Sequence, residues 1–178
     1  MQTFSEPSNS VKYASFWQRT QAFLIDCLVF IPITILHNYS ILYSKSFGIV
    51  LLASLAWMLY KPLLELKFGA TIGKRIMKLK VVNYEGALAD TNQIMLRFIP
   101  YFAIGISNLL LFYSMFQSPG FVEMHTIDEL SKLQSENSSF SSSIATLFYI
   151  VSVSTIWYDP AKQAWHDRFS NTYCIQVT

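Results

Sequence analysis

The chain has 178 residues, 52% hydrophobic and 13% charged, with a mean hydropathy of +0.33, whereas about 25% of the residues in an ordinary soluble domain are charged. Its formal net charge of +2, with thirteen basic residues scattered along the chain, excludes the dense basic tract of a nucleic-acid binder. Two cysteines, Cys27 in an apolar block and Cys174 in a polar stretch, exclude a disulfide framework and read as packing residues.

The apolar residues fall in blocks, not at the 3.6 or 2 period of a soluble core. A bilayer core about 30 Å thick needs about 20 such residues per helix. A polar tail occupies residues 1–15, and no small-x-small cleavage site follows the first apolar block, which reads as a retained anchor. Within a membrane domain at 16–178, four spans are expected, at about 17–36, 47–64, 94–116 and 140–158. The fourth is the weakest, because it opens on the serine run at 138–143. Pro62 and Pro100 mark proposed span ends, while Pro32 predicts a kink in the first span. Trp17, Tyr39, Trp57, Tyr60, Tyr101, Tyr113, Trp157 and Tyr158 flank the spans as an interfacial belt would.

Four spans place Lys12, Arg19, Lys61, Lys67, Lys74, Arg75, Lys78, Lys80, Arg97, Lys162 and Arg168 on one side, leaving Lys45 and Lys132 on the other. That asymmetry predicts a cell-membrane protein with both termini and the long middle loop cytoplasmic. In that loop Ile72, Ile76 and Leu79 recur at helical spacing beside Lys74, Arg75 and Lys78, predicting a short basic helix on the membrane surface. A strand is expected at 79–82, with a return at 87–89 after a turn. Lys74, Arg75, Lys78 and Lys80 form a patch suited to anionic lipid. In the outer loop, Ile127, Leu130 and Leu133 predict a small amphipathic helix capping the bundle.

Ionisable groups inside a span are costly and therefore informative. Asp26 stands nine residues into the first span, about 13 Å along its axis at 1.5 Å per residue. Arg19 lies two turns earlier, too far to pair with it directly, and Arg97 at the start of the third span is the expected partner of Asp26. Asp26 is then either a proton or cation site or, the preferred reading, part of a clamp with Arg19 and Arg97. Asn108, Ser107, Ser114, Ser152 and Ser154 read as interhelical hydrogen-bonding groups. His37, His125 and His166 lack metal-ligand spacing, and no nucleophile motif accompanies them, so neither a cofactor nor catalysis is expected.

Three stretches in order resemble the RDD family of small multi-pass membrane proteins. The first is Arg19 with Asp26 seven residues on. The second is Gly69-Ala70-Thr71-Ile72-Gly73-Lys74-Arg75, followed by Leu96-Arg97, and the third is His166-Asp167-Arg168. The resemblance implies an all-α membrane bundle of about four helices, loosely associated with transport of ions or small molecules. Its characteristic residues here are Arg19, Asp26, Gly73, Lys74, Arg75, Arg97, His166, Asp167 and Arg168. Arg19 and Asp167 share a depth and oppose in charge, so a pair stapling the C-terminal tail to the first helix is expected. Four helices enclose little by themselves, so the transport reading predicts a homo-oligomer; the alternative is an accessory or scaffold protein that binds another membrane protein.

Overall fold

The computed structural model describes residues 12–137 and 140–177, apart from the side chains of 140–145 and 149. Most of the polar tail and part of the serine run lie outside the described residues. Helix α1 (Phe16–Val29) opens on a reciprocal cap: Gln18 N–H donates to the Ser15 hydroxyl, and Ser15 N–H donates to the Gln18 side chain. Pro32 falls in the first turn of α2 (Ile31–Tyr39), where its missing N–H is tolerated. The axis breaks at Phe30, and α1 with α2 and the π-type turn Ser40–Ser44 forms one apolar element bent by 53°. The kink expected at Pro32 is present.

Helix α3 (Phe47–Phe68) ends where Gly69 turns left-handed at φ +71°, its N–H returning to the Glu65 carbonyl. After α4 (Ile72–Ile76) and strand β1 (Leu79–Asn83), α5 (Thr91–Gln117) starts from a capping box between Asp90 and Gln93. Pro62 and Pro100 lie inside α3 and α5. Helix α6 (Ile127–Asn137) is the expected capping helix, with Leu130 and Leu133 against a cluster of Ile41, Val50, Leu111, Met115, Phe121 and Met124. Then come α7 (Phe140–Ser154), a 3-10 turn at Thr155–Trp157, α8 (Trp165–Phe169) and β2 (Thr172–Gln176).

α3 and α5 are long and apolar enough to cross a membrane, and the bent α1–α2 pair makes a third crossing if taken as one span. The fourth apolar helix, α7 with its 3-10 extension, is shorter than a full span. Of the most apolar stretch, only 17% of α3 and 22% of α5 is buried within the protein. Leu52, Leu63, Leu110 and Leu147 accordingly point outward. So much exposed apolar surface demands a covering that water does not provide.

A sheet, unexpected in an all-α bundle, closes the basic end. β1 pairs antiparallel with β2, Val81 opposite Cys174, and Tyr13 adds a bridge to Ile175. The strand expected at 79–82 exists, but its main partner is the C-terminal segment; of the expected return only a single bridge, Val82 to Leu88, is present. Ala14, Ala22, Leu79, Val81 and Cys174 pack together beneath the sheet. Leu79 thus serves the sheet and not the apolar face of α4, whose Ile72 and Ile76 are exposed.

α4 docks directly against α1. A Cβ on Gly73 would stand 1.9 Å from the Ala22 carbonyl oxygen, a backbone atom that has no rotamer by which to withdraw. Only glycine fits there. Gly73→Ala should lower the midpoint of thermal unfolding in detergent by the equivalent of about 1–3 kcal/mol, the usual range for overpacking. Gly48→Ala, whose nearest neighbour would be 3.9 Å away, should leave the midpoint unchanged or slightly higher.

Candidate functional site

The site grows from a short hinge, Gly69 to Lys74, that turns the chain from α3 back onto α1. Thr71 caps α4 by accepting from Lys74 N–H, and its hydroxyl donates to Asp26 Oδ2 at 2.7 Å. Asp26 Oδ1 accepts from Gly73 N–H at 2.7 Å and from the Tyr60 hydroxyl at 2.8 Å. Asp26 is buried, with both oxygens taken by three neutral donors. The expected Asp26–Arg97 pair does not form: the salt bridges of Arg97 go to Glu65 and Asp167. Shared depth indicated that partner, but depth says nothing of the direction each helix face takes.

The clamp exists with a different carboxylate at its centre. Asp167 has no exposed surface; its Oδ2 accepts from Arg19 at 2.6 Å, while its Oδ1 faces Arg97 and lies 3.2 Å from His166 Nε2. Ala164 N–H, at the start of α8, also donates to Oδ2 at 3.2 Å. The expected Arg19–Asp167 staple is therefore present, and Arg19 strengthens it by donating to the carbonyls of Lys162 and Ala14. Arg97 continues to Thr172 in β2 and, through Nε at 3.1 Å, to Glu65. Lys74 then donates to the other oxygen of Glu65 at 2.5 Å. Lys74, Glu65, Arg97, Asp167 and Arg19 thus form a row of alternating charge crossing α4, α3, α5, α8 and α1 in turn.

The remaining candidates lie apart from this row. Arg168 is largely exposed and pairs with Asp159 at 2.7 Å, and Arg75 lies over the Phe68 ring. With Lys74 turned inward to Glu65, the expected basic patch is reduced to Arg75, Lys78 and Lys80. Trp57 and Tyr60, among the aromatics read as a belt, both pack edge-on to Phe30. Of the polar groups read as interhelical glue, Ser152 meets His166 Nδ1 at 3.0 Å, whereas Ser114 and Ser154 bond back to their own helices. Asn108 lines a smaller cavity beside His37 and Ser54.

Glu65, Tyr60, Thr71 and Lys61 were not singled out from the sequence. Glu65 carries a visible signal, being the lone acid between Lys61 and Lys80, and was passed over because it stands one residue beyond the proposed span end.

The row walls a cavity of about 540 Å³. Arg19, Lys61, Lys74 and Arg97 contribute its cations, and Asp26 and Glu65 its carboxylates. Phe16, Phe98, Ile150, Val153 and Trp157 supply much of its apolar lining, and Thr20, Ser154 and His166 are among its neutral polar groups. A charged face opposite an apolar one, at this volume, is the usual make-up of a small-molecule site.

A helical chain with its apolar flanks uncovered and a charged cavity at one end defines a membrane-type protein. The chain belongs to the RDD family, whose family model matches residues 13–171. No curated protein and no solved structure matches it.

Two groups of α8 give the row a pH dependence. Burial by itself would raise the Asp167 carboxyl, but Arg97, Arg19 and His166 together outweigh it and hold the group well below the usual carboxylate range. Its contribution to stability is present above about pH 4 and is lost as pH falls further. Burial pushes the His166 imidazole down; Asp167 pulls it up, Arg97 and Arg19 oppose that pull, and the net shift is downward. An unfolded histidine takes up its proton near pH 6.5. As pH drops below that value the unfolded chain binds the proton first, so stability falls until the folded form is protonated too. Thermal melts in detergent should decline from about pH 7 to pH 5, and His166→Gln should flatten that part of the curve while leaving the steeper loss below about pH 4.

Proposed function

We propose that this RDD-family protein forms part of a membrane pathway for ions or small molecules, with its solute site in the charged cavity at the basic end. The observation carrying this reading is the cavity itself, where four cationic side chains converge opposite an apolar wall. Pathways of this kind are usually completed by repeated bundles, so a homo-oligomer is proposed.

The sheet supports a count of four spans. Tyr13, β1 and β2 are hydrogen-bonded to one another and must share one side of the bilayer. An even number of crossings therefore separates Tyr13 from β1, and another even number separates β1 from β2. The bent α1–α2 pair with α3 satisfies the first condition. If α5 crosses, α7 with its 3-10 turn must cross as well. The excess of Lys and Arg puts the sheet end in the cytoplasm of a cell membrane, where exposed Ile72 and Ile76 of α4 dip into the bilayer interface and Arg75, Lys78 and Lys80 meet anionic lipid. In a Cys27→Ala, Cys174→Ala background, Lys132→Cys should react with a membrane-impermeant maleimide on intact cells. Gly86→Cys should react only after permeabilisation; the reverse pattern refutes the orientation.

Asp26 is assigned a structural role, because its oxygens are already occupied. In proteoliposomes containing the purified protein, flux across a panel of anions and cations should fall at least tenfold on Val153→Trp, which fills the cavity. Unchanged flux removes the cavity from the pathway. The accessory reading rests on Val122 and Ile127, exposed beside acidic residues at the other end. It gains if no species moves and one stoichiometric partner is retained after mild detergent extraction.

A further inference from the structure

Within the cavity one cation stands out. Glu65 is neutralised by Lys74 and Arg97, and Asp167 by Arg19 and Arg97. Asp26 is satisfied by Tyr60, Thr71 and Gly73. Among the described residues no carboxylate comes within ion-pair distance of Lys61, which belongs to α3 and lines the same cavity. Its ammonium lies instead 4.6 Å from the centre of the Phe23 ring and 5.3 Å from that of Tyr101. Two ring faces hold a cation in place without forming an ion pair, and such contacts are worth only about 0.5–2 kcal/mol. The lining cations number four against the three carboxylates Asp26, Glu65 and Asp167, so the site carries one positive charge in excess.

The rest of the wall constrains what that charge can meet. Phe16, Phe98, Ile150, Val153, Ile156 and Trp157 supply an extended apolar lining that a small inorganic ion would leave unused, beside the polar Thr20, Thr71, Tyr101, Ser154 and His166. A volume of about 540 Å³ lies in the range of sites that enclose a ligand with an apolar body. We infer that the cavity binds an amphipathic anion, its carboxylate or phosphate head on Lys61 and a single apolar chain along the α5–α7 wall. This deepens the solute-site reading above and names the substrate class. The same chemistry is offered by a free single-chain amphiphile and by an anionic lipid, of which the cavity would take one chain.

The test is binding to the full-length protein in a neutral detergent, separate from any flux. Dodecanoate should raise the thermal midpoint saturably, while dodecanol and inorganic phosphate should not. Lys61→Gln should weaken dodecanoate binding at least tenfold, Lys61→Arg should retain it, and Val153→Trp should abolish it by occupying the chain site. Should Lys61→Gln fail to fold, the comparison of dodecanoate with dodecanol on the unaltered protein, together with Val153→Trp, decides. Equal binding of acid and alcohol, or dodecanoate affinity unaffected by Val153→Trp, overturns the proposal. Competition by phosphatidylglycerol in nanodiscs, set against phosphatidylcholine, identifies lipid as the source; no competition identifies the free amphiphile. Binding without flux leaves this inference standing and defeats the transport reading, whereas flux without binding does the opposite.

Discussion

A carboxylate with no exposed surface, Asp167, holds the basic end of this protein together. A buried charge left alone costs several kcal/mol, and removing one member of a buried pair typically costs about 3–5 kcal/mol. Asp167 meets that constraint with two arginines, one from α1 and one from α5. Two arginines on one carboxylate bring an excess of charge, and Glu65 absorbs it through Arg97 before passing the requirement on to Lys74. The alternating row follows from that first burial. Each added charge is placed where the previous one needs a partner, so five elements are tied together at this end.

Backbone geometry makes the row possible. β2 fixes Thr172 against Arg97, and β1 pairs with β2 and packs under Ala14 and Ala22 of the α1 region. The hinge between α3 and β1 works residue by residue. Gly69 takes the left-handed turn that releases the chain from α3. Thr71 caps α4 and binds Asp26, Gly73 lets α4 touch the backbone of α1, and Lys74 reaches back to Glu65. Four chemical requirements in six positions explain why this segment reads as a motif. Asp26 belongs to the same hinge: it is the acceptor that seats α4, and the charge row runs beside it without using it.

Much of this was legible in the sequence, and the reasons differ by element. The apolar blocks set the helices because hydrocarbon length is a one-dimensional property. The Arg19–Asp167 staple followed from depth and opposite sign, and here depth was enough because both groups sit at the same end. The Asp26–Arg97 pairing failed because pairing inside a bundle also depends on which way a helix face points, and spacing in one helix does not give its rotation against another. The partner of β1 was hidden for a related reason. Leu79–Asn83 and Thr172–Gln176 are about ninety residues apart, and a short amphipathic strand carries no record of where its partner lies. Glu65 was missed by drawing a span boundary one residue early, since a helix like α3 continues past the hydrocarbon and places its decisive charge on that extra turn.

The way Asp26 is satisfied bears on what the cavity can accept. Had Lys61 been its partner, the ammonium would have been held in an ion pair inside the wall and withdrawn from the cavity. Three neutral donors occupy the carboxylate instead, leaving Lys61 held by the faces of Phe23 and Tyr101, which localise a cation without neutralising it. Charge next to an apolar wall is poorly screened, so a single unmatched ammonium there exerts a larger field than it would in water. The hydroxyl of Tyr60 and that of Thr71 therefore do two things at once. They seat α4 on α1, and by doing so with dipoles in place of a counter-cation they leave Lys61 outside any ion pair.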